Sequence, residues 1–271
     1  MGRHALGLGV LAMLLTACGG TAGSGSGELA ASPAVPAPTS STVPTVTSSA
    51  VATPATTPAT TPAPRPTGVN IDGCVTEKNG TFFTYKRGGT TTQGVIMGKG
   101  SVGVVVSYER RGSVCDWLPL ADRMVDAGYR VLLADRNNSA EPEEDTVAMA
   151  TRLRKAGVAK VFLVGGSVGG QASVLAAGEL PFPVAGVISI SGVAEPGDAA
   201  TLKAPFLQVD GDQDDIAPAD LVQAVYDAAT ESADRQLVML PSREHASALF
   251  TGDQAPKVFR AVLTFLDKHR D

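Results

Sequence analysis

Histidine, cysteine and aromatic residues are scarce in this chain, and each scarcity narrows what it can be. There are three histidines and three cysteines among 271 residues. Cys74 and Cys115 have no histidine near them in sequence, which argues against a metal site. Aromatic residues make up 5 %, and the first is Phe82. Basic clusters are also missing: 22 Lys and Arg face 27 Asp and Glu for a net charge of −5, and Arg110-Arg111 is an isolated pair. Without a basic patch or interleaved aromatics, nucleic acid is not expected as a partner. The apolar run Ala5 to Leu15 falls short of the roughly twenty residues that span a bilayer.

Arg3 and His4 precede that run and Leu15-Thr16-Ala17-Cys18 follows it, so residues 1–17 read as a signal peptide. Leu-Thr-Ala-Cys before Gly19 also resembles the lipobox of bacterial lipoproteins, which implies that Cys18 becomes a lipid-modified N-terminus. An ordinary secretory signal cleaved near Ala17 is the alternative. Residues 18–68 are dominated by Gly, Ser, Thr, Ala and Pro, with Glu28 and Arg65 their only charges. Such a segment cannot offset its ordering entropy by burial and reads as a disordered tether. As a coil of some fifty residues it would reach about 40 Å. The expected location is extracytoplasmic, held to the bacterial cell membrane by the lipid on Cys18. In that oxidising setting Cys74 and Cys115 form an even pair and a disulfide candidate.

Residues 69–271 fit one domain with a substantial core. Thr81–Lys86 and Thr92–Met97 read as a hairpin around Arg87-Gly88-Gly89. Val102–Ser107 is almost continuously apolar, as in a strand buried on both faces. A helix from Trp117, capped by Asp116 and stopped at Gly128, leads into a strand at Tyr129–Asp135. The unit then recurs: a helix at Glu143–Lys155, a strand at Lys160–Val164 and a helix at Val168–Ala177. Strands at Val184–Ser191, Phe206–Asp210 and Gln236–Leu240 alternate with helices at Ala219–Ala229 and Pro256–Lys268. Alternation of this kind predicts an α/β fold: a mostly parallel sheet covered on both faces, with its binding crevice at the strands' C-terminal ends.

Gly165-Gly166-Ser167-Val168-Gly169 occupies one of those ends, between a strand and a helix. Flanking glycines permit a tight turn that pushes the serine out where a substrate can reach it. A serine needs a base, and His245 lies on the loop after the last strand, whereas His269 sits in a polar tail. The base needs an acid to hold its tautomer. Asp210, Asp212, Asp214 and Asp215 crowd the loop after Phe206–Asp210. A solvated acidic turn or, less often, a cation site is the bland reading, and an EF-hand is excluded because neither the spacing nor a terminal Glu fits.

From Thr81 to Asp271 these features resemble the α/β-hydrolase superfamily, whose chain order is nucleophile, acid, histidine. The family's acid-loop pattern Gly-x-x-Asp-x-x-x-Pro falls on Gly211, Asp214 and Pro218, which makes Asp214 the preferred acid and Asp215 the second choice. The resemblance implies a Ser167–His245–Asp214 triad, an acyl-enzyme intermediate and no cofactor or metal. It puts one oxyanion donor at Val168 N–H and the other near Tyr108 and Glu109. Many relatives carry His-Gly at that second position, where this chain has Ser107-Tyr108-Glu109-Arg110-Arg111. Glu109 either opposes the oxyanion or pairs with Arg110 or Arg111 and faces outward. The short stretch from Ser191 to Ala204 leaves no room for a cap domain, so short or polymeric esters across an open cleft are the expected substrates. A monomer is expected. The same triad would serve a thioesterase, acyltransferase or peptidase, and a noncatalytic binding protein on this scaffold is the rival from another class.

Overall fold

A computed structural model describes residues 70–87, 89–136 and 139–271. The signal peptide, Cys18 and the tether lie outside the described residues. Chain order begins with a two-stranded ladder, β1 (Asn70–Ile71) and β2 (Val75–Thr76), then β3 (Thr81–Arg87), β4 (Thr90–Met97) and β5 (Val102–Ser107). From there helices and strands alternate: α1 (Val114–Asp126), β6 (Arg130–Ala134), α2 (Pro142–Lys155), β7 (Lys160–Gly166) and α3 (Val168–Glu179). They continue as β8 (Gly186–Ile190), α4 (Pro196–Ala199), β9 (Phe206–Gly211), α5 (Ala219–Ala228) and β10 (Arg235–Leu240), followed by a 3-10 turn (Ala246–Phe250) and α6 (Ala255–His269).

Eight strands form one sheet in the order β10-β9-β8-β7-β5-β6-β4-β3. The β3–β4 and β4–β6 pairs are antiparallel and all the others are parallel. Strand periodicity explains why its central members are apolar throughout. Val104 and Val106 of β5 and Phe162 and Val164 of β7 face a core shared with α1 and α6. Val105, Val161 and Leu163 face the opposite core, shared with α2, α3 and α5. Successive residues point to opposite faces, so a strand covered twice must be apolar twice.

The helix before β6 is capped differently from the sequence reading. It starts one turn earlier, with Ser113 at the N-cap, and Asp116 reaches back to the Ser113 N–H at 2.8 Å. Asp116 is therefore the returning carboxylate of a capping box, not the cap itself. Two short features escaped sequence periodicity altogether, the β1–β2 ladder and α4. Cys74 and Cys115 are joined, with their Cα atoms 5.8 Å apart, so the β1–β2 segment is fastened to the start of α1. Between β8 and β9 the chain holds only the four-residue α4, with no inserted cap. Among the described residues no helix is long and apolar enough to cross a membrane.

Candidate active site

Ser167 sits between the end of β7 and the start of α3 with φ 53° and ψ −123°. A non-glycine residue there costs on the order of 1–3 kcal/mol, which the surrounding structure must hold in place. It is held by Ser167 N–H donating to Ile190 O at 3.0 Å and by Gly170 N–H donating to Ser167 O at 2.9 Å. Two glycines make the turn possible by closeness rather than flexibility. A Cβ on Gly165 would lie 2.0 Å from Gly169 O, and one on Gly169 would lie 1.9 Å from Ser107 O. The second contact also shows that the loop after β5 abuts the first turn of α3.

The loops after β9 and β10 bring the acid and the histidine together. His245 Nδ1 lies 2.7 Å from Asp214 Oδ2. Asp214 Oδ1 accepts the N–H groups of Ile216 and Ala217 at 2.8 and 3.2 Å. An acceptor-only carboxylate fixed by two backbone donors calls for a proton on Nδ1, which leaves Nε2 as the free base. The Asp214 side chain is 1 % exposed and that of His245 17 % exposed. Asp215, the second choice, is 88 % exposed and faces Arg243 at 3.5 Å. The histidine loop closes on the serine turn at the adjoining residues: a Cβ on Gly166 would sit 3.1 Å from the Ala246 Cβ. Among the described residues, no hydrogen bond joins Ser167 to His245; such contacts are commonly loose before substrate binds.

Val168 N–H opens α3 and has no intrahelical acceptor, as the first turn of any helix requires. Across from it, Tyr108 is buried and its hydroxyl bridges Asp135 Oδ1 at 3.0 Å and Arg136 N–H at 2.6 Å. Burial lifts the phenol above the ordinary tyrosine range, against the opposing pull of the Arg136 N–H. The Tyr108 carbonyl accepts a bond from Arg136 Nη1. Glu109 does not take the outward course as a partner of Arg110 or Arg111. Its Oε2 accepts Trp117 Nε1–H at 2.6 Å and its Oε1 accepts the Ser247 hydroxyl. The carboxylate thereby ties the loop after β5 to α1 and to the histidine loop.

Asp210, one residue before the end of β9, was only one of four clustered carboxylates in sequence. In the fold it is 1 % exposed and its Oδ1 accepts the Gly211 N–H at 2.7 Å. Burial first, and the neighbouring Asp214 charge second, push its pKa up to about 8. The other contributors that sequence reasoning missed are Trp117, Ser247 and Arg136. Their roles come from contacts across 8, 138 and 28 positions of chain, which no local pattern records.

No protein-family model matches the sequence, and no curated protein does. Solved structures do match. An esterase of Pyrococcus furiosus aligns over 75 % of this chain and 97 % of its own at 11 % identity, with a TM-score of 0.62. The esterase domain of a Rhodothermus marinus protein aligns over 70 % of this chain and 99 % of its own at 16 % identity, TM-score 0.60. A monoacylglycerol lipase of Paleococcus ferrophilus covers 66 % of this chain and 99 % of its own at 15 % identity, TM-score 0.58. The fold is that of the α/β-hydrolases. At these identities the likeness is one of architecture, and the α/β-hydrolase frame explains why the serine turn, the acid loop and the histidine loop share one sheet edge.

Proposed function

We propose that this protein is a serine hydrolase that cleaves carboxylic esters, with Ser167 as nucleophile, His245 as general base and acid, and Asp214 orienting the imidazole. The observation that carries this reading is the 2.7 Å contact between Asp214 Oδ2 and His245 Nδ1, made at the sheet edge where Ser167 is strained outward. Solved neighbours of the same fold named as esterases and lipases support it. Ser167 Oγ attacks the ester carbonyl carbon while its proton passes to His245 Nε2. The negative charge on the carbonyl oxygen is met by Val168 N–H and by a backbone N–H of the Tyr108-Glu109 segment, each worth about 2.7–4 kcal/mol. Collapse expels the alcohol, which takes the proton from His245. Water, deprotonated by the same nitrogen, then releases the carboxylic acid and restores Ser167.

The bonds that hold Glu109 favour this over a noncatalytic binding protein, because its carboxylate is already occupied by Trp117 and Ser247. With α4 the sole helix between β8 and β9, the cleft suits short or polymeric esters. We further propose that the enzyme works outside the cytoplasm as a monomer, on a lipid anchor at Cys18. A fluorophosphonate probe tests the chemistry. It should label the protein covalently and fail to label Ser167→Ala; labelling that persists in the variant, or none in either, rejects the reading.

A further inference from the structure

A cavity of about 620 Å3 opens at the C-terminal sheet edge, walled in part by Val168, the residue that follows Ser167, and arginines reach it from two loops. Arg110 and Arg111 come from the loop after β5, Arg136 from the loop after β6, and Val168 and Gln171 from the first turn of α3. Glu143, at the start of α2, is the one acid among its described lining residues. Positive charge is thus gathered beside the serine in a chain whose net charge is −5. The volume lies within the range of small-molecule sites, roughly 300–1,000 Å3.

Arg136 is the second, independent pointer. It is 6 % exposed, yet among the described residues its Nε has no hydrogen-bond partner. Its Nη1 is bonded to the Tyr108 carbonyl, and the guanidinium carbon lies 5.3 Å from the centre of the Tyr108 ring. These contacts fix the fork and leave one buried donor unspent, a situation folded proteins rarely tolerate without a use. Arg110 is exposed and makes no hydrogen bond or ion pair among the described residues. The N-terminus of α3 adds the partial positive charge of its unpaired N–H groups on the same side. A neutral acyl chain in this cavity would desolvate guanidinium groups and give them nothing in return. A planar oxyacid accepts bonds from a guanidinium fork in pairs.

We propose that the cavity binds an anionic oxygen group of the substrate, a carboxylate or a phosphate, held a short chain away from the ester bond that Ser167 attacks. The word substrate rests on the serine-hydrolase reading; the anion site does not. Ethyl hexanoate, monoethyl adipate and ethyl phosphonohexanoate share an acyl chain length and differ at its far end. Assayed on the full chain at low salt, kcat/KM for at least one charged ester should exceed that for ethyl hexanoate by about tenfold or more. The double variant Arg110→Gln/Arg111→Gln should lower that ratio by about tenfold, while Lys257→Gln, which removes a charge from α6, leaves it unchanged. Preference between the two charged esters identifies the group. Calorimetric titration of the Ser167→Ala protein with the same esters reads the site without turnover, and the arginine substitutions should abolish that binding. Equal use of neutral and charged esters, or binding that survives both arginine substitutions, overturns the anion site even where Ser167 is labelled. Anion binding with no labelling of Ser167 leaves the site standing and removes the hydrolase.

Discussion

Asp214 and Asp215 are neighbours in sequence, but one side chain is 1 % exposed and bonded to His245 while the other is 88 % exposed. Substitution at each therefore separates an orienting role from a surface one. Asp214→Asn should lower kcat for a neutral ester by about 10⁴-fold, because an amide in that place favours the wrong imidazole tautomer. Asp215→Asn should leave kcat within about fivefold, since exposed pairs are worth at most ~1 kcal/mol. Steady-state assays of both variants decide it, and equal losses would reverse the assignment. Asp210 makes a different prediction, about pH. Its pKa rises from the ordinary 3.8 to about 8 in the folded protein. Below 3.8 both states hold the proton and the contribution to stability is complete. As pH climbs towards 8 the unfolded chain releases its proton, the folded one keeps it, and stability falls; above 8 the loss is complete. Asp210→Asn, of the same shape and uncharged, should flatten that decline. Denaturant midpoints measured across this interval should drop for the parent protein and hold nearly level for the variant.

The disulfide carries the main prediction at the scale of elements. It closes a loop of 41 positions between the β1–β2 segment and α1. Breaking such a link costs about 2–4 kcal/mol, so Cys115→Ser should lower the unfolding free energy by about that much. Reducing agent should do the same to the parent protein and nothing further to the variant, as read by denaturant titration. The elements themselves were legible where burial imposes a period. The strand at Val102–Ser107 is predicted and observed at the same residues, because both its faces are covered. The strand Lys160–Gly166 runs two residues past its predicted end, into the glycines of the serine turn, where backbone pairing continues without an apolar side chain to signal it. The Ser167 turn and the pairing of Asp214 with His245 were legible because chain order and loop position carry them. The brace of Glu109, Trp117 and Ser247 was not, since a carboxylate next to two arginines reads as a surface ion pair until its contacts are seen. Arg136 was hidden likewise: nothing local to Asp135-Arg136 says that its guanidinium packs beneath Tyr108.

For the whole molecule, the proposed lipid attachment at Cys18 has a cellular readout. Cys18→Ser in the full chain should move the protein from the membrane fraction to the soluble one, while Cys115→Ser should leave it on the membrane; immunoblots of fractionated cells measure both. One acyl chain gives only marginal membrane binding, so firm retention requires more than one. The cysteine bridge has a mechanical meaning as well. A pull on the chain ahead of residue 70 enters the domain four residues before Cys74. The first strands it meets are a ladder of two residues each and then β3, which stands at an edge of the sheet. Hydrogen bonds of that kind would unzip one at a time. The covalent link at Cys74 hands the load across to α1, so tension applied from that end bypasses β2 and β3, which follow Cys74, and reaches the domain at a helix packed into its core.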